Sequence, residues 1–514
     1  MEALWAANSL DKADALLQQI DSASSPLTLQ HFSQNTFSAA DESAKHIDSF
    51  EPKTGRCIAR IPCASAADVD AAVKSAKAAF PAWSKTPRAE RSRLLRRVSD
   101  IIAENRELFA VWESIDQGKT LERARIEVDR AISNFSYFST FILHESTSSR
   151  MVDGVALTYE HRSPAGVFAL ISPWNMPLYL LTWKIAPCLA FGCTAVAKPS
   201  EVTSMSAFLL AAVFRQAGLP DSVINILFGD GAVTGSALVA HPAVHGVSFT
   251  GGTATGIAIR RATVHQIYKH LSLELGGKNP TLVFADALTT SPASRAKTIR
   301  TAAMAAFENQ GEICLCGSRI YVEQSVYDEF VAAFTEYVTA HYRTGETVGA
   351  VVSLQHYAKI RGYLETAQHR GMTFQTGSVP PVIDAGETGK GYWIEPTVLT
   401  DVPATGPGSE LLREEIFGPV VTIVPFADED EAVGFANDSE YGLAAVLLTN
   451  DGGRMRRVGE QLDAGLVWVN CWLVRELGTP FGGMKNSGTG REGGEYSRDV
   501  FTVARTVHLA TVEW

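Results

Sequence analysis

Three residues, far apart in the chain, offer complementary chemistry. Cys314 lies in FENQGEICLCGSR (residues 307–319), after a polar turn of Asn309, Gln310, Gly311 and Glu312 that interrupts a small-residue helical run over 301–307. A thiol at such a break can be held toward a cleft. The thiolate is the nucleophile, and an ordinary cysteine, with a pKa of roughly 8.5, needs a neighbouring donor or base. On its own, an isolated cysteine is more commonly a small buried hydrophobe. Glu274, in LSLELGGKNP (271–280), has an apolar setting before paired glycines, where a carboxyl of raised pKa can act as general base. Asn175, in ISPWNMPL (171–178), supplies an amide donor.

The rest of the chain must position these groups. At 514 residues it is too long for one core and should divide into two or three domains. Its 46% hydrophobic and 20% charged residues are those of an ordinary soluble globular enzyme. A net charge of −11 argues against nucleic acid or an anionic membrane surface as partner, so an anionic substrate would need locally placed cations. No apolar run reaches the roughly 18 residues that span a bilayer. Seven scattered cysteines, an odd number, suit reduced intracellular thiols. No metal site is expected. Residues 1–26 carry Glu2, Asp11, Asp14 and Asp21 against Lys12 alone, unlike an Arg-rich, acid-poor leader. A short amphipathic extension on a cytoplasmic protein is the expectation.

Residues 48–63 read as strand and turn, 66–113 as surface helices, and 114–141 as a continuation of that helical pattern containing Arg130. A hairpin is expected over 147–161 around Asp153–Gly154. Short apolar runs at 167–171, 194–197, 223–227, 246–249 and 281–284, separated by helical stretches such as 204–217, predict a parallel, doubly wound α/β sheet. The usual G-x-G-x-x-G fingerprint does not appear where it should, between the first strands and helices of that sheet. SFTGGTATG (248–256) stands instead between a strand and a helix-capable run, where backbone N–H groups could face a pyrophosphate. A second unit begins near Ala285. The stretches 465–475 and 480–494 read as Gly-rich turns with little room for regular structure, before a last strand at 501–509.

PWN, AKPSE, LELGGK, FENQGEIC and EEIFGP, in that order, resemble the aldehyde dehydrogenase superfamily over about residues 27–507. The resemblance implies a Rossmann-like NAD-binding domain (27–141 and 162–284), an α/β catalytic domain (285–482), a return segment (483–498) and a small β oligomerisation element (142–161 and 499–514) after the extension at 1–26. It implies a homo-oligomer, dimer or tetramer. It places the nucleophile on Cys314, the general base on Glu274 and the oxyanion donor on Asn175. Cofactor contacts fall on Trp174, Lys198, Glu201, Gly251, Gly252, Gly256, Glu415 and Phe417. A carboxylate at Glu201 facing the ribose favours NAD over NADP. The sequence departs from the family at Glu312, usually Gln, and at Gly252, usually Ser. It departs also in 286–297, a longer stretch expected to be a surface loop. Cys316 is the rival nucleophile.

Within the superfamily SPWNMPLYLLTWKIAP, NQGEICLCGSR and NCWLVRELGTPFGGMKNSGTGREGG are most like the 2-aminomuconate 6-semialdehyde and 2-hydroxymuconate semialdehyde dehydrogenases, in which Glu312 is usual. Arg130 and Arg475 are then expected to hold the substrate's carboxylate, guanidinium being a forked donor. An ion pair of Arg475 with Glu476 is the structural alternative. Three other functions stay open at this point: oxidation of an uncharged aliphatic or aromatic aldehyde, a fold kept for NAD binding without turnover, and thioester hydrolysis without redox chemistry.

Overall fold

The computed structural model describes residues 26–38 and 45–511. The extension expected over 1–26 lies, apart from Pro26, outside these residues, as do the last three residues of the 499–514 segment.

Five short strands form the centre of an eight-stranded sheet: His270–Glu274, Val244–Thr250, Val167–Ile171, Thr194–Lys198 and Ile224–Ile226, in that spatial order and all parallel. VFALI and TAVAK are buried at every position, as strands covered on both faces must be. The chain runs outward from Val167–Ile171 through the next two strands, then returns to build the other side. Val167–Ile171 and Val244–Thr250 therefore flank the point where the strand order reverses, and their carboxyl ends diverge. Ligands of open α/β sheets sit in that crevice. Antiparallel edges close the sheet, Gly488–Thr489 against His270–Glu274 and His31–Ser33 against Ile224–Ile226.

A second, seven-stranded sheet has the order Thr373–Thr376, Thr397–Thr400, Val420–Phe426, Arg319–Glu323, Pro280–Val283, Ala444–Leu448, Leu466–Val469. Two expectations are corrected by it. The 281–284 run, assigned to the first sheet, is central to the second, paired with Arg319–Glu323 and Ala444–Leu448. The turn-rich 465–475 stretch contains an edge strand, LVWV. Nor is 286–297 a loop. It is spanned by the helices Ala285–Thr289 and Pro292–Phe307, the latter begun by Ser291, whose hydroxyl accepts from Ser294 N–H at 3.1 Å. The Asp286 carboxylate pairs with Arg454 at 2.9 Å and accepts from Thr449. A third sheet consists of Ser149–Val152, Ala156–Pro164 and Thr502–Ala510, the last two paired along their whole length.

One apolar cluster runs through both large sheets, from Phe168 and Trp183 to Phe307, Ile320 and Trp472. Helix Pro177–Ala190 is buried all round, as its apolar sequence requires, and starts with Pro177, whose missing N–H costs nothing in a first turn. Helix Arg106–Gln117 is likewise not a surface helix, since every residue from Leu108 onward is buried. The helical pattern expected to continue through 114–141 breaks at Gly118, and Thr120 caps a new helix, Leu121–Phe141.

That break turns Lys119 toward the functional site. Gly118 has φ +93°, and a Cβ there would stand 2.5 Å from the Ala350 carbonyl oxygen and 2.8 Å from Pro52 Cβ. Gly118→Ala combines left-handed strain with a backbone clash and is expected to lose at least about 2 kcal/mol of stability. Gly218→Ala ends a helix at φ +76° with nothing within 4 Å and should lose only about 1 kcal/mol. Urea unfolding of the two variants side by side measures the difference.

Candidate active site

Helix Pro292–Phe307 delivers the chain into a tight reversal. Asn309, Gln310 and Gly311 have φ of +52°, +46° and +73°, three consecutive left-handed residues. Two of them are not glycine, a strain of the kind found where a site over-determines its backbone. Gly311 is required sterically, because a Cβ there would lie 2.1 Å from the Gly418 carbonyl oxygen. Beyond the reversal Asn279 Nδ2 donates to the carbonyls of Cys314 at 2.7 Å and Cys316 at 2.9 Å, tying the loop to the second sheet. The Cys314 side lines a cleft, whereas Cys316 is buried in the core and lines none of the cavities described below. Burial pushes the Cys314 thiol well above its ordinary range; the negative charges of Glu415 and Glu274 add to this, and Arg475 pulls the other way. Burial also pushes Cys316 up, to about 12.

Asn175 meets this loop from the end of the first sheet. Its side-chain Nδ2 donates to the Glu312 carbonyl at 2.9 Å. Its own carbonyl accepts from Lys119 Nζ at 3.0 Å and from Asn309 Nδ2 at 3.2 Å. The amide is thus fixed with one N–H committed, and a second N–H remains on the Nδ2 atom beside Cys314 for a developing oxyanion.

Glu274 ends strand His270–Glu274. It is 4% exposed, and neither carboxyl oxygen has a hydrogen-bond partner among the described residues. Burial pushes its pKa well above the carboxylate range, Glu492 raises it further, and Lys184, Arg475 and Arg491 oppose the shift. A polar cluster that sequence reasoning missed lies nearby. Lys184 Nζ donates to Ser248 at 3.0 Å, and Ser248 and Ser272 donate to Glu492 at 2.7 and 3.0 Å.

Two cavities of about 270 and 300 Å³ share Pro173, Trp174, Thr250, Gly251 and Gly252 and form one long cleft at the strand-order reversal. Asn175, Cys314, Glu415 and Phe417 line one end; Lys198 and Glu201 line the other, paired at 3.2 Å. Of the sequence-predicted cofactor residues only Gly256 lies outside the lining. A Cβ at Gly256 would meet Leu275 at 2.7 Å, so this glycine serves packing. Gly252 begins helix Thr253–Thr263, has no side-chain cap, and has open space where a Cβ would point. The Glu415 carboxylate accepts from Gly277 N–H at 2.8 Å. Phe417 has φ +63° and packs edge-on against Trp174, with ring centroids 5.2 Å apart. Unforeseen in the lining are His356 and Lys359, three apart on helix Leu354–His369; that spacing on one helix face was the signal available. His356 Nε2 donates to the Phe417 carbonyl at 2.6 Å, and burial lowers its pKa to about 4, so the ring is neutral.

Arg130 and Arg475 lie outside this cleft lining, both near one aromatic ring. Their guanidiniums stand 5.5 and 5.8 Å from the centroid of Tyr179. Arg475 also lies over Phe481 at 3.9 Å and Trp183 at 4.4 Å. The anticipated alternative, an ion pair with Glu476, is not formed; Glu476 accepts from Gly478 N–H at 2.7 Å instead. Among the described residues neither arginine has a carboxylate partner, although Arg475 acts electrostatically on both Glu274 and Cys314.

Residues 38–507 match the model of the aldehyde dehydrogenase family. The chain is 46% identical over 474 residues to 2-aminomuconic semialdehyde dehydrogenase of Danio rerio, covering 90% of this chain and 95% of that one. It is 39% identical to 2-hydroxymuconic semialdehyde dehydrogenase of Pseudomonas sp. (strain CF600), covering 93% and 99%. Among solved structures, the NAD+ complex of an aldehyde dehydrogenase from Bacillus cereus superposes with a TM-score of 0.88 at 33% identity, covering 94% of this chain and 97% of that one. A cysteine presented at a cleft, a desolvated carboxyl and a fixed amide donor on this fold agree with these likenesses: the chain belongs to the aldehyde dehydrogenase family.

Proposed function

We propose that this enzyme oxidises an acidic semialdehyde of the 2-aminomuconate or 2-hydroxymuconate type to the dicarboxylate, with NAD as oxidant. The observation that carries the substrate class is the pair of arginines beside Tyr179 that have no acid partner among the described residues. Cys314 gives up its thiol proton to water as its sulfur adds to the aldehyde carbon, and the oxyanion is stabilised by Asn175 Nδ2–H. Arg130 and Arg475 hold the far carboxylate by charge-assisted hydrogen bonds, so the aldehyde end is oriented as well as attracted. The relatives above are muconic semialdehyde dehydrogenases, and a muconic semialdehyde has this charge pattern.

The cleft suits a dinucleotide: it is long, lined at one end by Lys198 and Glu201 for a ribose, crossed at Gly252 by a helix N-terminus with room for phosphate, and bounded by Trp174, Glu415 and Phe417 near Cys314. When bound, NAD supplies a hydride acceptor, which leaves the Cys314 adduct as a thioester. Glu274 then takes a proton from the water that attacks the thioester, and Cys314 departs as thiolate. Without a serine at Gly252 the phosphates rest on backbone donors. The exposed strand Ser149–Val152, with Met151 and Val152 bared, suits continuation of the third sheet by a second copy, giving a homo-oligomer.

Because Glu274 acts as a base and burial raises its pKa, the active form grows as pH rises; turnover should climb with pH beyond the ordinary carboxylate range. Glu274→Gln should release at most one NADH per active site in a burst and then turn over roughly 100-fold or more slower. Stopped-flow absorbance records both phases. Arg130→Ala and Arg475→Ala should each lower kcat/KM for a hydroxymuconate semialdehyde by about 10- to 100-fold, a neutral aldehyde of similar length changing less than about threefold with Arg130→Ala and clearly less than the acidic one with Arg475→Ala. Equal loss on both substrates would assign the arginines to packing and favour the uncharged-aldehyde reading. The mass in solution, from light scattering, tests the homo-oligomer.

A further inference from the structure

Glu312 stands two residues before Cys314 and is completely buried. Its Oε2 accepts from Gln117 Nε2 at 2.6 Å and from Gln310 Nε2 at 3.0 Å; its Oε1 accepts from the Val352 N–H at 3.0 Å, with His356 Nε2 3.7 Å away. The backbone fixes the sense of these bonds. Gln117 cannot turn its amide over, because its Oε1 accepts from the Lys119 N–H at 3.2 Å. Gln310 presents nitrogen to the Ala350 carbonyl at 3.3 Å and to Gln117 Oε1 at 3.2 Å. Both oxygens of residue 312 therefore face immovable donors, an arrangement complementary to a carboxylate and not to an amide, which would set an NH2 against an N–H.

We propose that Glu312 is a positioning residue of the site: its carboxylate, held between Gln117, Gln310 and Val352, fixes the carbonyl on which Asn175 Nδ2 is aligned, and so aims the oxyanion donor at Cys314. The carboxylate reaches toward His356, whose bond to the Phe417 carbonyl is the nearest link into the cleft. The titratable neighbours are Lys119, which stabilises the ionised form, and His356, which is neutral. Burial pushes the carboxyl up to about 8, so comparisons belong at pH 9, where it is ionised.

This proposal rests on the assignment of Cys314 and Asn175, and its test needs neither NAD nor the physiological aldehyde. The measurement is hydrolysis of p-nitrophenyl acetate at pH 9 by the full chain, for wild type, Glu312→Gln, Gln117→Glu and the reciprocal double variant. Glu312→Gln should lose about tenfold or more in kcat/KM, as expected for unsatisfied buried donors. Gln117→Glu, which opposes two carboxylates, should lose at least as much, and the double variant should regain most of the loss because donor and acceptor are exchanged between positions 117 and 312. A loss of bulk packing would show no such recovery. Rates within twofold of wild type for Glu312→Gln, or a double variant no faster than either single one, overturn the proposal. If a single variant does not fold, recovery of a folded, ester-hydrolysing double variant supports it, and a double variant that also fails to fold overturns it. Wild type without ester hydrolysis would overturn the Cys314 and Asn175 assignment beneath it, whereas hydrolysis without NADH formation from any aldehyde would overturn the dehydrogenase reading alone.

Discussion

The bond from the Asn175 amide to the Glu312 carbonyl is where two separately folded sheets become one site. Asn175 follows a central strand of one sheet, and Glu312 precedes a central strand of the other. Neither partner is held by that bond alone. Lys119, itself fully buried, reaches the Asn175 carbonyl while pairing with Glu127 and lying 3.8 Å from Glu113. Buried charges of this kind add little net stability, and removing one partner strands the other, so their effect is to make a single arrangement far better than its neighbours.

Desolvation governs the chemistry within that frame. Burial drives Cys314 and Glu274 toward their protonated forms, His356 toward its neutral form, and Lys278 down to about 7. Little charge resides permanently beside the nucleophile. Charge that develops on a reacting oxygen or sulfur would then be felt strongly by the few oriented dipoles present, chiefly the Asn175 amide. Arg475, over Phe481 and Trp183, is a cation that acts on both reacting groups.

Much of this was legible in the residues. Four of the five central strands of the first sheet announce themselves as short apolar runs, and Gly311 marks a reversal that no other residue fits; the break at Gly118 and the strand His270–Glu274 did not show in the pattern. What the chain could not disclose was partnership across distance. The 281–284 run follows the first sheet in sequence but pairs with Arg319–Glu323 and Ala444–Leu448, a choice made by packing. Residues 286–297 fold as helices whose first turn is anchored by Asp286 to Arg454, 168 positions on. Leu466–Val469 becomes a strand because Ala444–Leu448 offers an edge, despite the glycines around it. Arg475 has Glu476 next to it in sequence, yet three aromatic rings around it prevail. His356 carried no motif of its own; only the helix that it shares with Lys359 places it in the cleft.

The short strand Gly488–Thr489 has a mechanical consequence. It pairs with Leu273 and Glu274, so the chain that leaves the first sheet just after Glu274 comes back to the same two residues more than two hundred positions later. The sheets are stitched together at that seam by an outgoing and a returning thread. A force that swung one sheet away from the other would load both threads at once, against a ladder that lies across its pull. Such a seam resists gaping, and traffic of small molecules is left to the mouths of the cleft.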